Sequence, residues 1–454
     1  MAAPAPQPGA IARPPVVAPD APAAVSGTTP SPSVSVPPTS TNDAAQPTTP
    51  APAAEQPAKT VTAGTPDAND LAAWEAALAA DSSQTTAVAA NAPQADAGGQ
   101  PAAATSALNP DISAIADFAL AAYSKRHNLQ LGAHDPALNG FNFQALELAL
   151  GAAVDPYFRF DSNIVFNTTE VDVEEAYATT LDLPAQLQVR AGQFLTRFGR
   201  ANPTHPHTWD YADQPFALTR VFGGEGNRGI GSEISWLSPL PWYVELVASA
   251  TTAGGAASSR SFYGGSGRSV NGPADLLYVT SIKQFFPLSD AWSLAWGLSG
   301  AFGPNAQGKD MRTEVYGTDL YLKWRPLRAG SFQAVSLHAE MLYRRREIPW
   351  TTLQDYNSFA SLLWRFAQRW SVASRYEWGS AALDDGFHTR PDYLDPQVTA
   401  ERQRVTASLS HYPTEFSRLR LQGSVDLPKY LPAPIWAGLL SLEIAIGAHG
   451  AHAF

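Results

Sequence analysis

From Gly438 to the last residue the chain alternates in polarity: Leu440, Leu442, Ile444, Ile446, Ala448 and Phe454 share one parity, and Ser441, Glu443, Gly447 and His449 share the other. Successive side chains of a β-strand point to opposite faces, so this segment has one apolar and one polar face. It is too long and too apolar on one side for the edge of a water-soluble sheet. It reads as a membrane β-strand with lipid on one face and polar surroundings on the other.

The rest of the sequence agrees. Although 44% of its residues are hydrophobic, nowhere does the chain carry about 18 consecutive apolar residues, which excludes a helical membrane span. Aromatic residues are plentiful (Trp 12, Tyr 15, Phe 20) and gather near the ends of strand-rich stretches. The interfacial girdles of a barrel would sit there. Cysteine is absent, which removes disulfides, thiolate metal sites and lipid anchoring through an N-terminal Cys. A net charge of -11 argues against a nucleic-acid partner, which needs a basic surface. No basic n-region with an apolar h-region precedes Ala2-Ala-Pro-Ala-Pro, so export is an inference that assumes a signal already removed.

Residues 1–110 form a run of Ala, Pro, Thr, Ser and Val with few charges and almost no aromatics. Such a segment has too little apolar area to offset backbone entropy, and is expected to be a disordered, partly polyproline-like tether. One exception is a possible short helix over 67–81, where Asp67 and Asp70 offer N-caps and Leu71, Trp74 and Leu78 recur at helical spacing. Standing alone, a helix that short is marginal.

From 111 to 454 alternating segments follow one another, and their number predicts an all-β fold: an antiparallel transmembrane β-barrel of about 16 strands. The connections alternate between short and long. Short ones fall near 154–156, 183–185, 238–241, 287–290, 367–369 and 413–415, and long ones near 197–228, 253–274, 303–312, 346–356 and 380–397. The parity closes without adjustment, with every short turn and Phe454 on one side.

Strand parity separates lipid-facing from lumen-facing residues. Arg418, Arg420 and Gln422 oppose Leu419 and Leu421, while Arg402, Arg404 and Thr406 oppose Val405 and Ala407. With Arg344, Arg346, Arg365 and Arg375 these arginines would give a basic wall. Asp117, Glu147, Asp161, Asp172, Glu174 and Asp182, with Arg159 among them, would give an acidic one. Opposed walls of this kind orient dipolar solutes and separate ions, unless the charges pair locally and only stabilise the barrel.

Two chemistries are weighed against the residues. His205-Pro-His207 with Asp210 invites a metal, because imidazole and carboxylate suit zinc. Pro206 and the spacing argue for loop packing instead, so neither metal nor cofactor is assigned. No local signature supports a hydrolase, so no enzyme is expected. Gly223-Gly-Glu-Gly-Asn-Arg-Gly lies inside a loop and is no phosphate cradle; it supplies turn freedom at the entry to the sixth strand.

The stretches Gly140-Phe-Asn-Phe-Gln-Ala-Leu-Glu-Leu-Ala-Leu, Val154-Asp-Pro-Tyr-Phe-Arg, Val173-Glu-Glu-Ala-Tyr-Ala-Thr-Thr and the run from Arg190 to Asp210 resemble the phosphate-selective-porin-like proteins of bacterial outer membranes. Some relatives there are described as zinc-regulated TonB-dependent outer-membrane receptors. The terminal Phe454 likewise resembles the insertion signal of outer-membrane barrels. TonB-dependent receptors have roughly 22 strands around a plug, so the porin half of the resemblance is the one that about 16 strands can carry.

The resemblance implies a homotrimer in the outer membrane of a Gram-negative bacterium, in contact with its lipid. It also implies an inward-folded constriction loop at 197–228, carrying Arg197, Arg200, His205, His207, Asp210, Asp213 and Arg220, with Trp209, Tyr211 and Phe216 packed against a wall. Passive diffusion of small hydrophilic solutes or ions is the function expected on this reading. Two alternatives stand beside it. One is a structural or envelope-complex barrel whose tail binds peptidoglycan, a partner subunit or a polymer-export component; the other is an anion-selective channel that uses the arginine ladder.

Overall fold

A computed structural model describes residues 110–447 apart from His127, Ala256, 328–331, Tyr393 and 395–399. The tail of 1–109, its possible helix at 67–81 and the terminal Phe454 lie outside the described residues. Sixteen strands form one closed antiparallel barrel in which each pairs with its sequence neighbours and β1 closes on β16.

In order, the strands are β1 Asp111–Tyr123, β2 Gly140–Ala153, β3 Phe158–Phe166, β4 Val171–Thr180, β5 Leu187–Leu195, β6 Arg228–Leu237, β7 Tyr243–Thr252 and β8 Leu276–Ser289. Then come β9 Trp292–Pro304, β10 Arg312–Trp324, β11 Ala334–Ile348, β12 Thr351–Ala367, β13 Trp370–Gly379, β14 Arg402–Thr414, β15 Ser417–Pro428 and β16 Ile435–Gly447. No described helix is long and apolar enough to cross a membrane. The strands do so instead, because a closed ladder satisfies every backbone group without water.

Period two sets the faces. On β16, Leu440, Leu442, Ile444 and Ile446 point outward while Ser441, Glu443 and Ala445 are buried inward. Outward aromatics gather toward the short-turn end (Tyr157, Trp242, Trp292, Trp370, Phe416) and, with Phe141, Trp350 and Trp436, toward the opposite rim. They form the two girdles that an apolar band needs at its water boundaries.

The inner face is mixed. Leu277, Val279, Ala301, Val315, Leu342 and Phe359 of β8 to β12 also point inward and are buried, joined by Phe198, Leu218, Val221, Phe222 and Phe262 from two long connections. A dry apolar core therefore occupies part of the barrel interior.

Two expectations are corrected here. Residues 346–356 are not a long loop: β11 runs to Ile348 and β12 starts at Thr351. Alternation simply continues through Arg346, Ile348, Leu353 and Asp355, all buried, so the strands extend until Pro349-Trp350 turns the chain. Asp182 is not on a strand either. β4 ends at Thr180, and Asp182 is exposed in the short turn that Pro184 closes, where water solvates a carboxylate without a partner.

Candidate functional site: the loop-filled lumen

The connection 196–227 between β5 and β6 folds into the barrel and touches much of its wall. It is anchored at its start by Arg197, which bonds Glu233 of β6 at 2.8 Å and Glu245 of β7 at 2.5 Å. Arg200 stacks over Tyr321, 3.9 Å from the ring centroid, while Glu340 of β11 accepts the backbone N–H groups of Arg200 and Ala201 at 2.9 and 2.6 Å.

His205 and His207 lie stacked, their ring centroids 5.9 Å apart. They face the acidic strands: His205 reaches Glu175 at 2.8 Å and Glu174 at 3.2 Å, and His207 reaches Glu147 at 3.0 Å. Both Glu174 and Glu175 point inward because the β3–β4 register shifts between Asn163 and Ile164. That β-bulge adds one residue and re-aims a side chain. Parity assigned Glu174 inward and therefore missed Glu175.

The loop then crosses to the basic strands. Arg418 donates to the carbonyls of Trp209 and His207 at 2.8 and 2.9 Å and pairs with Glu443; Arg420 donates to Trp209 at 2.7 Å. Asp213 sits between Arg375 at 2.9 Å and Arg404 at 3.1 Å and accepts from Gln422 at 2.7 Å. Burial alone would raise the Asp213 carboxyl, but the Arg375 and Arg404 guanidiniums outweigh it and hold the group at about 2.

Helix α1, Phe216–Phe222, follows, with all seven residues buried. A helix this short does not stand alone; its packing on β11 to β13 and the Glu377 carboxylate, which accepts the Phe216 N–H at 2.6 Å, hold it. Arg220 bonds Asn357 at 3.2 Å and the Ser380 carbonyl at 2.8 Å. Gly223 ends the helix at φ +98, a conformation that disfavours a side chain.

Two further connections fold over the same region. In 380–401, buried Asp392 pairs with Arg346 and, at 3.1 Å, with Arg344. In 253–275, Ser261 accepts from Arg344 at 2.9 Å and Arg260 donates to the Leu394 carbonyl.

All eight arginines of the basic strands point inward, and none is more than 9% exposed. They do not line open water. Arg344 pairs with Asp355 at 2.8 Å, Arg402 with Asp426 at 2.9 Å and Arg404 with Glu377 at 2.8 Å; Arg365 stacks on Tyr412. These carboxylates stand on the same wall as the arginines, so the expected division into one basic and one acidic side is corrected to local pairing.

On the other side Asp117 is half-buried opposite Glu443, Asp161 pairs with Arg159 at 2.8 Å, and Asp172 with Arg228 at 2.6 Å. Asp210 is half-buried; its carboxyl is raised by burial, against the pull of Arg418 and Arg420.

Sequence reasoning missed His134, in the connection 124–139. Its Nε2 lies 2.7 Å from Glu174 and 3.9 Å from Glu225. Burial would lower this imidazole, yet the hydrogen bond and charge of Glu174 raise it to about 9. His205 is likewise raised: burial lowers it, but Glu147, Glu174 and Glu175 outweigh that. Only the Glu-Glu doublet at 174–175 hinted at such a cluster.

Fold and site together define a sixteen-stranded transmembrane barrel of porin architecture with a loop folded into its lumen. No family model matches the chain. At 32% identity over 394 residues, covering 77% of this chain and 80% of the relative, it belongs to the family of an uncharacterized protein from Aquifex aeolicus (strain VF5). Among solved structures it shares its fold with the outer membrane channel DcaP of Acinetobacter baumannii, at 12% identity, TM-score 0.51 and coverage of 74% of this chain and 97% of that one. It also shares it with Pseudomonas putida OprB, at 9% identity, TM-score 0.51 and coverage of 74% and 94%.

Proposed function

We propose that the protein is an outer-membrane porin that passes small hydrophilic solutes or ions by passive diffusion, with connection 196–227 as its constriction. The observation that carries this reading is the chemistry of the inner wall. A barrel with only a structural role is filled at least as stably by apolar side chains, since buried ion pairs add little net stability. Here the interior instead keeps Arg159, Arg190, Arg200, Lys283, Lys323 and His338 partly exposed. Groups of this kind solvate a hydrated path. The sixteen strands support a porin rather than a receptor of roughly 22 strands.

The geometry favours a narrow, weakly selective pore over the anion-selective alternative, because seven of the eight arginines of the ladder are paired with carboxylates or bound to loop carbonyls and Arg365 stacks on Tyr412. A homotrimer in the outer membrane belongs to the same proposal. Planar-bilayer recording of the purified protein tests it: discrete conductance steps with a reversal potential near zero across a salt gradient are expected. Silence from folded protein would favour the structural alternative, and a strongly anionic reversal potential the ladder.

A further inference from the structure

His134, His205 and His207 meet Glu147, Glu174, Glu175 and Glu225 on the acidic side of the lumen, and one corner of that cluster has the make-up of a cation site. His134 Nε2 (from connection 124–139), Glu174 (from β4) and Glu225 (from the end of 196–227) bring one ligand atom each to within 4.8 Å of one another. They line a cavity of about 20 Å³ with His205 and Gln214, a volume that holds a single water or ion.

The separations suit metal bonds. Ligand bonds of about 2.0–2.1 Å place neighbouring tetrahedral donors about 3.3–3.5 Å apart. The pair His205 Nδ1–Glu174 Oε2 stands at 3.2 Å and the pair His134 Nε2–Glu225 Oε2 at 3.9 Å. The tighter His134–Glu174 contact of 2.7 Å opens by about 0.6–0.8 Å when an ion comes between them.

A second observation points to a ligand. Gln214 is 6% exposed, lines the same cavity, and presents an Oε1 atom with no hydrogen-bond donor among the described residues. A buried acceptor left without a donor costs about 1–3 kcal/mol, and a cation or its bound water would satisfy it.

We infer that His134, Glu174 and Glu225 form a binding site for one first-row divalent transition-metal ion, with His205 or Gln214 completing the shell. Imidazole nitrogen among carboxylates selects such an ion over calcium or magnesium, which take all-oxygen sites. The three ligands come from three separate segments. The ion therefore staples connections 124–139 and 196–227 to β4, and fixes the constriction loop on its acidic side.

Full-length protein, folded in detergent and stripped with chelator, is titrated with Co²⁺ and followed by calorimetry and visible ligand-field absorption. One saturable equivalent is expected. Both His134→Ala and Glu225→Gln should weaken it about tenfold or more, comparable to the loss of a supporting group around a metal. His388→Ala, at an exposed site, should change nothing. Glu225→Gln preserves shape, and folding of each variant is checked by heat-modifiable gel migration. The inference is overturned if folded wild-type protein takes up no Co²⁺, or if folded Glu225→Gln binds it undiminished.

Discussion

Arg404 of β14 and Asp213 of the inward-folded connection meet at 3.1 Å, both buried, and Asp213 also holds Arg375 of β13 at 2.9 Å. One carboxylate thus ties the loop to two strands of the wall. Removing it leaves two buried guanidiniums with one shared carboxylate, Glu377, in place of two, and breaking a buried pair from one side costs about 3–5 kcal/mol. Asp213→Ala should lower the unfolding free energy in detergent by that amount, read from denaturant titration, and should increase proteolysis within 196–227. An unchanged midpoint would mean that Glu377, which also pairs with both arginines, suffices.

The loop is pinned on its two sides by groups that titrate in opposite directions. Asp213 is depressed to about 2 from 3.8, so its stabilisation is complete above pH 3.8 and is lost as pH falls through 2. His134 is raised to about 9 from 6.5, so its contribution is complete below pH 6.5 and is lost as pH rises through 9. Protease sensitivity of the loop, measured in chelator, should be lowest between about pH 4 and 6.5 and rise on both flanks. In His134→Ala the alkaline rise should shrink to what His205, raised by Glu147, Glu174 and Glu175, still contributes, while the acid one persists.

Strand number and facing were legible because a period of two is written into every strand: Val405, Ala407 and Leu409 out, Arg404, Thr406 and Ser408 in. The lumen was legible only in part. Leu342 lies inward between Glu340 and Arg344, and nothing local says that an apolar residue there joins a buried cluster with Phe198 and Phe222 rather than facing lipid. Helix α1 is too short for a periodic signal and exists through its packing. Glu175 turned inward through a bulge that depends on the partner strand, and His134 and Asp392 gained meaning only from loops folding across the barrel.

Lipid exposure should be measurable at a single position. Leu421 lies mid-strand on β15, 59% exposed, and its neighbour Gln422 is buried inward. Leu421→Arg should cost about 2–4 kcal/mol when folding is measured in lipid vesicles, as for a cation at the midplane of a barrel's outer face. Gln422→Ala removes two buried hydrogen bonds, its donation to Asp213 and its acceptance from the Ala212 N–H, each worth about 0.5–1.5 kcal/mol and up to about 3 where the partner is charged, and that loss should be the same in detergent as in lipid. A Leu421→Arg protein that folds in vesicles as stably as the wild type would contradict the assignment of faces.

Arg418 and Arg420 separate conduction from support. Were they a path for anions, Arg418→Ser with Arg420→Ser would shift the reversal potential toward cations and leave the open-channel current quiet. In the structure both guanidiniums grip the Trp209 carbonyl, Arg418 also grips that of His207, and Arg418 faces Glu443. Replacing them by Ser frees the middle of the loop while Arg197, Glu340 and Asp213 still hold other parts of it. The expected result is larger, noisier conductance with at most a small change in ion preference. A quiet channel of unchanged size with altered selectivity would restore the ladder as the permeation path and remove the loop-anchoring role assigned to both residues.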